Sequence, residues 1–176
     1  DGLWTQAHYT GGGFPRVFDG LAAEPITPVD PPSGSLAASA AVQAATASVV
    51  KITGVAAACR QGQEGSGWVI SAHRVVTNAH VVAGLGEVTV RVKGVGPGLS
   101  GRVVVFDPGR DLAVIDVPSL SAAPLPLGAQ VDSGADAVVA GFPLDGPLRL
   151  DAARVRQRLV ATGQDIYGQP GKTREI

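Results

Sequence analysis

Between residues 48 and 117 the chain runs through short apolar stretches, each closed by a turn, and this rhythm constrains the fold more than any other feature. "SVVKITGVA" (48–56), "GSGWVIS" (65–71), "EVTVRVKG" (87–94), "GRVVVFD" (101–107) and "LAVIDV" (112–117) follow one another. "EVTVRV" alternates apolar and polar residues, the pattern of a half-buried antiparallel strand. Strands spaced about 8–12 residues apart with turn signals between them predict an all-β sandwich or barrel.

The flanks read differently. Residues 1–34 lack periodicity, and "GGGFP" (11–15) and "PITPVDPPSGS" (25–35) are rich in breakers, so an extended arm or linker is expected there. "SLAASAAVQAATASVV" (35–50) predicts a short helix with Ser35 as its cap, leading into the first strand. "APLPLG" (123–128) is a Pro-rich connector. A second group of strands follows, at 136–143, roughly 148–162 and in "GKTREI".

Composition narrows the class. Hydrophobic residues make up 45% and charged residues 16%, the balance of a folded globular chain. Aromatics are only 5%, so Val, Ala, Leu and Ile must fill the core. The net charge is −1, and the richest basic run, Arg149 to Arg158, interleaves four arginines with Leu, Ala and Val. That spacing suits an element with one wet face, so no nucleic acid is expected as a partner. No run of apolar residues is long enough to span a membrane. The chain starts at Asp1 and has no Met, so it is expected to be a processed piece with any signal or anchor upstream. Cys59 stands alone, without the Cys/His cluster of a zinc site. It reads either as a buried thiol or as half of a disulfide whose partner lies elsewhere.

The candidate chemistry centres on "VVTNAHVV" (75–82). A general base must be held in one orientation, with its second ring nitrogen on a carboxylate. Asp111, in "GRDLAVIDV", opens an apolar strand where a carboxylate can sit behind the imidazole of His80. Asp107, in "FDPG", is better explained as turn chemistry. His8 and His73 read as residues without chemistry.

Taken in order, "GSGWVIS", "VVTNAHVV" and "RDLAVIDV" resemble the trypsin-fold serine proteases, and most closely their HtrA-like extracytoplasmic branch in bacteria. The likeness runs from about residue 40 to 145. It implies an all-β two-barrel fold: the first barrel complete over 35–127, the second partial over 128–176, preceded by the short helix and extended arm. It also implies that His80 is the base and Asp111 its orienting carboxylate. The order of base before aspartate fits this fold and not the subtilisin or α/β-hydrolase orders. The Pro-rich arm and lone cysteine point further, to actinobacterial members anchored in the membrane and linked to acid resistance. An extracytoplasmic location makes Cys59 a disulfide candidate, paired with a cysteine downstream of Ile176.

One part of the family pattern is missing. The sequence contains no Gly-x-Ser-Gly-Gly, and Ser66, Ser100, Ser119, Ser121 and Ser133 lack those flanking glycines. The expectation is therefore a serine endopeptidase whose nucleophile lies downstream of residue 176, with residues 1–176 inactive alone. Its expected partners are a downstream chain of the same protease and a peptide or protein substrate. No cofactor and no metal are expected. The alternative is an inactive trypsin-fold module that binds peptides by strand addition.

Overall fold

The computed structural model describes residues 28–56, 61–170 and 172–175. Six strands close into one antiparallel barrel: β1 (Val49–Ala56), β2 (Gln61–Ser71), β3 (Arg74–Thr77), β4 (Val88–Val92), β5 (Leu99–Asp107) and β6 (Leu112–Asp116). Their order around the barrel is β1-β2-β3-β6-β5-β4. Closure is the pairing of β1 with β4, where Val50 faces Val92 and Thr53 faces Thr89.

The barrel interior follows from the composition. The largest fully buried side chains are all Val or Ile, among them Val50, Ile52, Val69, Val90 and Ile115. Branching at Cβ stiffens χ1 and packs well on a pleated surface, so these residues fill a narrow barrel at little entropic cost. Burying each one contributes about 1.5–3 kcal/mol.

The structure adds a strand that the sequence pattern did not show. β3, "RVVT", pairs with β2 on one side and β6 on the other. It is four residues long, too short to display a period. The strand expected at 65–71 begins earlier, at Gln61, and its polar start pairs with the end of β1. The helix is also capped one turn later than expected. A 3-10 turn occupies Leu36–Ala38, and α1 (Ala40–Ala45) is capped by Ser39, whose side chain accepts from the Val42 N–H. Ser35 makes no side-chain cap bond.

Of the arm expected over 1–34, residues 1–27 lie outside the described residues. Residues 28–33 carry no helix or strand, and the Ser33 N–H donates to Asp136 Oδ1 at 3.3 Å. Among the described residues no helix is long and apolar enough to cross a membrane.

Beyond the barrel lie two small antiparallel sheets. One pairs β7 (Asp136–Gly141) with β8 (Arg149–Arg154), and the other pairs β9 (Val160–Gly163) with β10 (Lys172–Glu175). The single stretch expected over 148–162 is thus two strands, broken by residues 155–159, which carry no regular structure. Two of its arginines meet acids, on opposite faces of β8: Arg154 Nη2 lies 2.6 Å from Asp136 Oδ1, and Arg149 Nε lies 2.8 Å from Asp151 Oδ1.

The barrel and the β7–β8 sheet meet at Phe142, which is buried. Its backbone N–H donates to Ser66 Oγ at 2.9 Å. A Cβ on Gly94 would lie 2.5 Å from the Phe142 ring, so only glycine lets the ring approach there. Lys51 Nζ sits 5.9 Å from the same ring centroid and donates to the Asp145 carbonyl at 2.6 Å.

Candidate active site

β3 and β6 are antiparallel, with Thr77 opposite Ala113. That register sets the residues just after β3 beside those just before β6. His80 and Asp111 are therefore brought together by strand pairing, although 31 positions separate them.

His80 rides on α2 (Ala79–Val82), a single turn that follows β3. Ala79, Val81 and Val82 are buried and anchor this turn to the barrel. His80 is the remaining position, with 32% of its side chain exposed. This explains the sequence around it: the turn needs small apolar anchors on three sides and presents the imidazole on the fourth. Gly65 completes the seat. A Cβ there would lie 2.5 Å from Val81 Cγ2, so glycine lets α2 settle onto β2.

Asp111 is buried and lies just before β6, with a left-handed φ of 54°. Its carboxylate meets His80 twice. Oδ2 lies 2.8 Å from His80 Nδ1, and Oδ1 accepts the His80 backbone N–H at 2.9 Å. A carboxylate on Nδ1 selects the tautomer whose proton is on Nδ1, which leaves Nε2 with its lone pair. Asn78 Nδ2 completes the cluster, donating to the Asp111 carbonyl at 3.1 Å and to Oδ2 at 3.3 Å.

The neighbouring aspartates are engaged elsewhere. Asp107 accepts the Arg110 backbone N–H and the Arg110 Nη1 proton, both at 2.9 Å. The Arg110 backbone bond, with the guanidinium beside it, holds the Asp107 carboxyl below its usual range. Asp116 pairs with Arg74 across β3 and β6. His73 is exposed in the turn before β3, with φ 61°. His8 and Cys59 lie outside the described residues, as does any disulfide that Cys59 forms.

Sequence reasoning did not give three features the roles they have in the structure. One is Asn78, whose amide meets both the carbonyl and the carboxylate of Asp111. Another is Ser66, whose hydroxyl receives the Phe142 N–H and whose carbonyl accepts the Thr77 hydroxyl at 2.8 Å. The third is a charged cluster where the barrel meets the turn after β7. Burial, together with the hydrogen bond to Asp145, raises Glu64 to about 7. Asp145 is held below its usual range, first by its bond to Lys51 and then by the proton from Glu64. Lys51 Nζ lies 2.5 Å from Asp145 Oδ1. Among the described residues no group of three or more His, Cys, Asp and Glu side chains is arranged to hold a metal ion.

A trypsin-like peptidase domain model matches residues 65–171. The serine protease Rv3671c of Mycobacterium tuberculosis H37Rv is 42% identical over 159 residues, which cover 90% of this chain and 40% of that protein. The chain thus spans less than half the length of the curated relatives it matches. The crystal structure of the active form of the Rv3671c protease gives a TM-score of 0.82 at 41% identity, covering 88% of this chain and 68% of that one. The HtrA-type protease AlgW with tripeptide gives a TM-score of 0.62 at 19% identity, over 77% of this chain and 49% of that one, a likeness of fold alone.

Proposed function

The chain belongs to the trypsin-like peptidase family, and from that premise we propose that it supplies the general base and the orienting carboxylate of a serine endopeptidase. The observation that carries this reading is the contact of His80 Nδ1 with buried Asp111 Oδ2 at 2.8 Å, on an imidazole that keeps 32% of its side chain exposed.

In this reading His80 Nε2 takes the proton of a serine hydroxyl as its oxygen attacks the peptide carbonyl. Positive charge then develops on the imidazole, and the Asp111 carboxylate stabilises it without taking the proton. His80 next passes the proton to the departing amine, and the peptide C–N bond breaks. Water, activated by the same nitrogen, releases the acyl group from the serine. These steps use protein side chains and water only.

The nucleophile of this proposal comes from a segment outside residues 1–176. Two facts support that: none of the ten serines stands in Gly-x-Ser-Gly-Gly, and the curated relatives extend well beyond the matched stretch. The two small sheets β7–β8 and β9–β10 are then part of a second barrel, completed by the segment that carries the serine. The substrate is a peptide or protein. An extracytoplasmic setting, a membrane anchor upstream and a role in extracytoplasmic or acid stress belong to the same proposal and rest on the HtrA-like resemblance and, for the anchor and the acid role, on the narrower likeness to actinobacterial members.

The test is activity-based labelling of the full-length protease. A fluorophosphonate should label one serine outside residues 1–176, and His80→Ala should abolish that labelling. Label on any serine within 1–176 would overturn the reading.

A further inference from the structure

Asn78 follows β3 directly and stands at the N-cap of α2. An asparagine at that position ordinarily turns its side-chain oxygen onto its own helix, accepting from one of the first backbone N–H groups. Asn78 makes no such bond. The N–H it would have capped, that of His80, is taken by Asp111 Oδ1 at 2.9 Å. The carboxylate of Asp111 thus caps the turn that carries His80, and the Asn78 side chain has another use.

That use is visible in its partners. Asn78 Nδ2 donates to the Asp111 main-chain carbonyl and to Asp111 Oδ2, at 3.1 and 3.3 Å. Both partners are acceptors only, so chemistry dictates that the NH2 end of the amide faces them. One amide therefore grips the backbone and the side chain of one residue. The backbone it grips is left-handed, at φ 54°, a conformation that aspartate tolerates but that needs support from its surroundings. The oxygen it grips is the one that lies 2.8 Å from His80 Nδ1. Asn78 itself is exposed, so its side chain fills no space in the barrel core.

We infer that Asn78 is a positioning residue for His80: its amide fixes left-handed Asp111 so that one carboxylate oxygen stays on His80 Nδ1 and Nε2 remains the basic nitrogen. The inference rests on the reading of His80 and Asp111 as base and orienting carboxylate. It assigns Asn78 no contact with substrate.

The test uses the full-length protease and four variants. Asn78→Ala removes the donor and is expected to lower kcat about 10- to 100-fold, the range for a lost hydrogen bond to a charged group, with KM little changed. Asn78→Asp keeps the size and shape but sets an acceptor against two acceptors, so its kcat should fall below that of Asn78→Ala. A space-filling role predicts the reverse order, because Asp is the closer isostere. Should Asn78→Ala fail to fold, Asn78→Ser, which can cap α2 but cannot span to Asp111, carries the kinetic comparison. Proton NMR gives a second readout: the deshielded Nδ1–H resonance of His80 should move or broaden in each Asn78 variant. Asp111→Asn separates the two levels of the argument. If it is inactive while Asn78→Ala and Asn78→Asp keep the parent kcat and resonance, the role of Asn78 is overturned alone. If Asp111→Asn keeps the parent kcat, the reading of the pair itself is overturned.

Discussion

One carboxylate of Asp111 holds His80 at two points, the ring Nδ1 at 2.8 Å and the backbone N–H at 2.9 Å. The first contact sets the tautomer and the second sets the turn on which the ring stands. Asp111→Asn keeps the volume but places an NH2 group where an acceptor is needed. In trypsin-fold enzymes that exchange lowers kcat by about 10⁴, through the wrong tautomer with geometry intact. The same loss is expected here, measured on the full-length protease with a peptide substrate. A fall of less than about tenfold would exclude Asp111 from the orienting role, because one pH-independent tenfold step is only about 1.4 kcal/mol. His80→Ala should cost about 10⁴–10⁶, within the range of triad knockouts in an unrelated serine protease.

Gly65 tests whether α2 must sit where it does. A Cβ there meets both methyl groups of Val81, at 2.5 and 2.7 Å, and Val81 adjoins His80. Gly65→Ala should therefore push α2 off β2 and cost about 1–3 kcal/mol, the usual penalty for overpacking. Because the displaced element carries His80, the proposed base, kcat should fall by more than the stability loss explains at a temperature where the variant is fully folded. Thermal unfolding and steady-state kinetics on one preparation separate the two. Gly65→Ala combined with Val81→Ala should recover part of the loss, since the smaller side chain makes room for the added methyl.

The barrel and the His80–Asp111 pair differ in how legible they were. Strands β1, β5 and β6 stood out because Val and Ile recur with turns between them, and the structure places them within about two residues of the expected limits. β3 did not stand out, because it is only four residues long and its last three, Val75, Val76 and Thr77, are buried in succession and show no alternation. The start of β2 was not read as strand, since Gln61 to Glu64 is polar and contains a glycine, yet it pairs with β1. Local sequence also placed the helix cap at Ser35 instead of Ser39, as two serines so close together offer equal signals. His80 and Asp111 were legible first as a base and a carboxylate in suitable local settings and then as members of a family pattern; their contact is created by the register of β3 against β6. Asn78 was hidden because an asparagine ahead of a short helix has a common explanation, and the chain uses it otherwise. The cluster of Glu64, Asp145 and Lys51 joins distant segments, and nothing local in any of them announces the others.

Ser66 lies within the "GSGWVIS" stretch ahead of His80, and its hydroxyl is a structural acceptor. It receives the Phe142 N–H at 2.9 Å, where the barrel meets the β7–β8 sheet. Ser66→Ala would leave that buried donor without its partner, at a cost of about 1–3 kcal/mol. The expected outcome is a lower unfolding midpoint with fluorophosphonate labelling of the full-length protease retained. Loss of labelling in a folded Ser66→Ala variant would mean that this hydroxyl does chemistry, and the assignment of the nucleophile to another segment would fail.

Glu64 should make the protein's stability fall as pH rises across the mildly acidic range. Burial and the hydrogen bond to Asp145 raise its carboxyl from the ordinary 4.5 to about 7. The folded state therefore binds this proton more tightly than the unfolded state does. The resulting stabilisation is full below about 4.5 and is lost as pH climbs through about 7. Asp145 acts in the opposite sense. Its carboxyl is lowered by the bond to Lys51, so its contribution is present above the ordinary 3.8 and disappears only as pH falls through the depressed value. The two windows do not overlap, so of these two groups only Glu64 contributes a slope between about 4.5 and 7. Glu64→Gln keeps a donor for Asp145 and removes the titration. Urea midpoints measured at pH 5 and pH 8 should fall less in this variant than in the parent, with the larger gain for the variant at pH 8. Equal pH dependence in the two proteins would show that Glu64 does not hold its proton in the folded state.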